Sequence, residues 1–98
     1  MDIQSSLNGG ILTVMPEGRM DTVSAPELES FLELNFDKAQ RIILDLEKVD
    51  YISSAGLRVV VLAHKKMKEK DGLLICHVNQ QVMEVFKLTG YSHVLTIE

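Results

Sequence analysis

Two short apolar runs on either side of one long helical pattern constrain this chain more than any other feature. Arg41-Ile42-Ile43-Leu44-Asp45-Leu46 and Leu73-Leu74-Ile75-Cys76-His77-Val78 are strand-length and rich in leucine and isoleucine. Such runs, bounded by turn residues, read as buried strands. Between them, Ser54 to Asp71 repeats apolar residues at helical spacing and is closed by Gly72, in the position of a left-handed cap. A strand that reaches the next strand of its sheet through a helix returns in the same direction, so this part of the fold is parallel α/β. The run around Ile42 to Leu44 is expected in the middle of the sheet with both faces covered.

The flanking segments extend this pattern. Asn8-Gly9-Gly10 separates Ile3–Leu7 from Ile11–Met15, and Asn-Gly supplies the positive φ angles of a tight antiparallel hairpin. Pro16-Glu17-Gly18 ends the second strand. Ser24-Ala25-Pro26-Glu27 then has the form of a capping box, opening a helix from about Ala25 to Asp37 with Leu28, Phe31 and Leu32 on one face. Asn79 is placed to cap a third helix, with Val82, Val85, Phe86 and Thr89 along one side and Gly90 at its end; Val94 to Ile97 is expected as an edge strand. The expectation is a single α/β domain over residues 1–98. Its mixed sheet of four to five strands opens with an antiparallel hairpin, continues in parallel, and has helices packed against it.

Composition removes several classes of function. With 98 residues and 46% hydrophobic content, the chain can bury one core and not two. A net charge of −4 and the lack of a basic cluster with interleaved aromatics argue against a nucleic-acid partner. No apolar stretch approaches the length of a membrane span, and Met1-Asp2-Ile3-Gln4 has no basic leader, so no membrane partner and a cytoplasmic location are expected. Cys76 lies inside an apolar run and reads as a buried hydrophobe with no disulfide. His64, His77 and His93 show no paired metal-ligand spacing, and neither a nucleophile elbow nor a phosphate loop occurs. No metal, cofactor or enzymatic activity is therefore expected.

The functional signal lies at the start of the second helix. Val49-Asp50-Tyr51-Ile52 is strand-like, and Ser53-Ser54-Ala55-Gly56-Leu57 leads directly into the helix. Two hydroxyls thus sit where a helix offers unpaired N–H groups and the positive end of its dipole, a place suited to an anion such as phosphate. In α/β sheets, sites gather at the carboxyl ends of strands, where such turns occur. Read locally, either serine can be a helix cap, a phosphate acceptor, or both. Gly56 points to a close approach of backbones or to room for a docking partner. Asp21 either starts the first helix or stands near the serine turn.

Placed at 100° per residue, Leu57, Val60, Val61, His64 and Met67 share one face of the second helix, which should cover the sheet. Ser54, Arg58, Val59 and Leu62 lie toward the other side. Val59 and Leu62 there are either covered by another helix or form an apolar binding patch with a charged rim.

These motifs together resemble a known family. Gly18-Arg19-Met20-Asp21 is similar to the Gly-x-Leu-Asp turn of STAS domains of the anti-sigma factor antagonist family. Tyr51-Ile52-Ser53-Ser54-Ala55-Gly56-Leu57 is similar to that family's Phe/Tyr-Met/Ile-Asp-Ser-Ser/Thr/Ala-Gly-Leu. The resemblance spans essentially the whole chain. It implies that Ser54 is a phosphoacceptor, with Ser53, Gly56 and Asp21 supporting the turn. It also implies an anti-sigma factor with GHKL-type serine kinase activity as partner, and a serine phosphatase that reverses the modification. The exposed side of the second helix and the turn before the first supply the contact surface expected for such a partner: Met20, Thr22, Arg58, Val59 and Leu62. Ser53 stands where the family commonly has aspartate. A non-phosphorylated structural or sensory STAS module, or one binding a small ligand or nucleotide, is the alternative.

Overall fold

A computed structural model describes residues 1–98. The hairpin forms as expected: β1 (Asp2–Asn8) pairs antiparallel with β2 (Ile11–Met20), with Asn8 opposite Ile11 across Gly9 and Gly10, at φ 58° and 81°. The chain then runs through α1 (Ala25–Asn35), a 3-10 turn, β3 (Arg41–Asp45), β4 (Val49–Ile52), α2 (Ser54–Met67), β5 (Leu73–Cys76), α3 (Gln80–Leu88), a second 3-10 turn over Tyr91–His93, and β6 (Thr96–Ile97). The strand order is β1-β2-β3-β5-β6, with every pairing after the hairpin parallel. β4 lies beside the end of β2, parallel to it, after a register shift between Gly18 and Arg19.

The sheet therefore has six strands, more than the four to five expected, because Val49–Ile52 is a strand in its own right. β3 is central, but it is not buried on both faces. Register places Leu12, Ile42 and Leu73 in one row and Val14, Leu44 and Ile75 in the next, all buried. The intervening row of Thr13, Ile43 and Leu74 is only half-buried. The helices cover one face, so each strand alternates as a one-sided sheet does. On that covered face Leu28 and Leu32 of α1, Val60 and Ala63 of α2, and Val82 and Phe86 of α3 join the strand residues in one continuous core of 24 side chains.

Several boundaries differ from the sequence expectation: β2 runs through Pro16-Glu17-Gly18 to Met20, α1 stops at Asn35 ahead of its 3-10 turn, β6 is only Thr96–Ile97, and α2 and β5 end early. α2 ends at Met67, and the chain unwinds through Lys68–Asp71 to Gly72, whose N–H reaches the Met67 carbonyl at φ 98°. β5 stops at Cys76 because His77 takes φ 57°, a left-handed conformation that ends a strand.

Candidate functional site

The serine turn is built from β2 and β4 outward. Ser53 is extended (φ −95°, ψ 177°), and its carbonyl accepts the first helical bond from Leu57 N–H at 2.8 Å. Its hydroxyl oxygen accepts from Gly56 N–H at 3.4 Å, so Ser53 is the N-cap of α2. The Ser53 N–H in turn donates to the Met20 carbonyl at 2.8 Å, tying the turn to the end of β2.

Gly56 is explained by the same junction. A Cβ there would lie 2.7 Å from the Met20 carbonyl oxygen, 2.9 Å from Met20 Cβ and 3.0 Å from Ile52 Cγ1. Two backbones meet at this point and only glycine fits. The space is taken up inside the molecule, so Gly56 leaves no room for a partner.

Asp21 follows Met20 and organises the opposite side of the junction. Its Oδ1 accepts from Ser24 N–H at 3.1 Å and Val23 N–H at 3.0 Å, while its own carbonyl accepts from Ala25 N–H at 2.8 Å. Asp21 thus caps the turn that becomes α1. The backbone N–H of Ser24, then that of Val23, holds its carboxyl below the ordinary value of 3.8, with a smaller contribution from Arg19. The capping box read at Ser24 does not form. Ser24 is already helical (φ −87°, ψ −27°), and its hydroxyl accepts from Asp21 N–H and donates to the Arg19 carbonyl. Asp21, three residues earlier, has taken the capping role. Its carboxylate is engaged by its own turn and by Arg19, 3.8 Å away, and makes no bond to Ser53 or Ser54.

Ser54 is exposed in the first turn of α2, and the side-chain bonds of this region run through Ser53 and Asp21. Its hydroxyl opens onto a groove of about 360 Å³ lined by Leu57, Arg58, Val61, Leu62, Lys65 and Tyr91. Arg58 crosses to α1, where its guanidinium meets Glu29 at 2.7 Å.

The expected contact surface is only partly assembled. Arg58 and Thr22 are exposed and Leu62 is half-buried at the groove. Val59 and Met20 are both 0% exposed and leave the surface. Val59 is buried because α2 has α1 on one side and the sheet on the other; Met20 is buried because it is the last residue of β2, beneath the start of α2. Conversely, Leu57 and Val61, assigned by periodicity to the sheet, also line the groove. Tyr91 and Lys65 complete it. Tyr91 arrives from a 3-10 turn after Gly90, whose φ is 81°, and helix periodicity carries no signal for it.

A six-stranded mixed sheet with a serine turn welded to its second strand is the architecture of a STAS domain, and residues 2–98 match that family throughout. The chain belongs to the STAS domain family. It is 38% identical over 90 residues, 90% of this chain and 78% of the relative, to BtrV of Bordetella bronchiseptica, a candidate anti-sigma factor antagonist. In fold it is similar to an anti-sigma factor antagonist of Mycobacterium paratuberculosis, with TM-score 0.89 at 22% identity over 98% of this chain and 83% of that one. It is also similar to the Bacillus protein SpoIIAA in its phosphorylated form, with TM-score 0.77 at 13% identity over 99% and 91% of the two chains. No helix is long and apolar enough to cross a membrane.

Proposed function

We propose that this STAS domain is an anti-sigma factor antagonist whose binding is switched by phosphorylation of Ser54. Its partner is an anti-sigma factor with GHKL-type serine kinase activity, and a serine phosphatase resets it; the domain is the substrate of these enzymes and catalyses nothing itself. The observation that carries this reading is the division of labour at the turn. Ser53 caps α2, and Ser54 presents an exposed hydroxyl at the edge of a groove with apolar walls and a cationic rim. The names of the relatives agree with the antagonist role.

The physics of release follows from charge. Phosphate on Ser54 adds about −1.5 to −2 charges to the contact. Against a partner surface matched to a neutral hydroxyl, that addition costs several kcal/mol, and about 3 kcal/mol lowers affinity roughly a hundredfold. The helix N-terminus and Arg58 tolerate the phosphate within the free domain, so the modified form stays folded. The surface for the partner comprises Ser54, Thr22, Arg58 and Leu62 with the groove behind them. Calorimetry with the cognate kinase tests the reading: Ser54→Ala binds like the wild type and Ser54→Asp at least tenfold more weakly. Incubation with kinase and ATP adds one phosphate to the wild type and none to Ser54→Ala. Equal affinities for the two variants, or phosphate still added to Ser54→Ala, would rule it out.

A further inference from the structure

Asp45, Cys76 and His77 stand apart from the serine groove and share none of its residues. Asp45 and Cys76 are register partners at the carboxyl ends of adjacent parallel strands β3 and β5, so their side chains leave the same face of the sheet. In a regular strand the next residue, His77, would point to the opposite face. Its left-handed backbone, φ 57°, breaks that alternation and brings its Nδ1 to 2.9 Å from Asp45 Oδ1. One ligand atom from each of the three lies within 4.8 Å of the others.

We propose that these three residues form a binding site for a borderline-soft divalent cation, zinc foremost. A thiolate, an imidazole nitrogen and a carboxylate oxygen are the donor types that zinc accepts together, and three protein ligands leave a fourth position for water. A tetrahedral centre with ordinary bond lengths needs sulfur and nitrogen about 3.6 Å apart. The three ligand atoms already lie within 4.8 Å of one another, and Cys76 is partly and His77 largely exposed, so a bound ion is expected to draw them together. Binding releases the thiol proton to solvent. Sequence spacing hides the set, because 31 positions separate the carboxylate from the thiol and no Cys or His pair occurs.

Tag-free protein, reduced and stripped of metal, is titrated with Zn²⁺ by calorimetry and with Co²⁺ by absorption. The expected result is saturation at one equivalent, with a near-ultraviolet thiolate-to-cobalt charge-transfer band. Cys76→Ser removes the band and weakens Zn²⁺ binding at least about tenfold. His77→Asn, which keeps a residue tolerant of the left-handed backbone, and Asp45→Asn each weaken it comparably, with unchanged far-ultraviolet circular dichroism showing that the fold is retained. Absence of saturable binding overturns the proposal. So does binding by His77→Asn as tight as by the wild type, which would leave only an exposed thiol taking up metal.

Discussion

At single residues, the serine turn shows how neighbouring side chains divide work. Ser53 and Ser54 are chemically identical, and the backbone separates them: the extended Ser53 faces the orphan N–H of Gly56, and Ser54 enters the helix and faces outward. Asp21 makes the same kind of bond at α1 with a charged acceptor, and this gives a pH dependence of definite sign. Its folded pKa lies below the ordinary 3.8, so the ionised form contributes stability above that value, and the contribution is lost as pH falls through the folded pKa. Melting temperatures of wild type and Asp21→Asn should differ most near neutral pH, with the wild type higher. The gap should begin to close only below 3.8 and vanish once the pH has fallen through the folded pKa, where both residues are neutral caps. A gap that persists in acid would mean that the carboxylate's charge is not what stabilises the turn. Ser24 shows why the sequence misled here: Asp21 and Ser24 both fit a capping pattern three residues from a good acceptor or donor, and only the three-dimensional turn decides which prevails.

Among elements, α2 carries both the core and the surface. Val59 and Leu62 sit three positions apart and looked alike in sequence, yet Val59 is fully buried while Leu62 borders the groove. Val59→Ala is therefore expected to cost about 1–3 kcal/mol in denaturant unfolding, from lost apolar burial and the cavity left behind. Leu62→Ala should cost less stability but weaken binding of the proposed anti-sigma partner, as read by calorimetry. If Val59→Ala weakened binding more than Leu62→Ala at temperatures where both are folded, the groove would not be the contact. The elements themselves were legible: the hairpin from Asn8-Gly9, the parallel pair from the β3 and β5 runs, and the three helices from their apolar spacing, with caps read rightly for α2 and α3 only. Three features were not. A helix pattern shows which residues share a face but not how many neighbours press on it, so the burial of Val59 was open. Tyr91 reaches the groove through a 3-10 turn with no periodicity. His77 adopts a left-handed backbone that nothing in a histidine announces.

For the whole molecule, the sheet is the frame and β2 is its key strand, pairing with β1 on one side and with both β3 and β4 along its length. Its last residue, Met20, gives its carbonyl to Ser53 and its backbone surface to Gly56, so α2 is anchored at the point where the exposed serine sits. Phosphate placed on Ser54 should leave the fold unchanged. Amide NMR shifts between the unmodified and phosphorylated domain should be confined to the first turns of α2, the β2–α1 junction and Tyr91. Widespread shifts across β3 and β5 would instead indicate a rearranged core. The close seating of Gly56 on Met20 has a consequence for timing. With the turn already seated on β2, a switch at Ser54 of the kind proposed above would need no helix to unlatch and no strand to slide, and its response would be timed by the modifying enzymes alone.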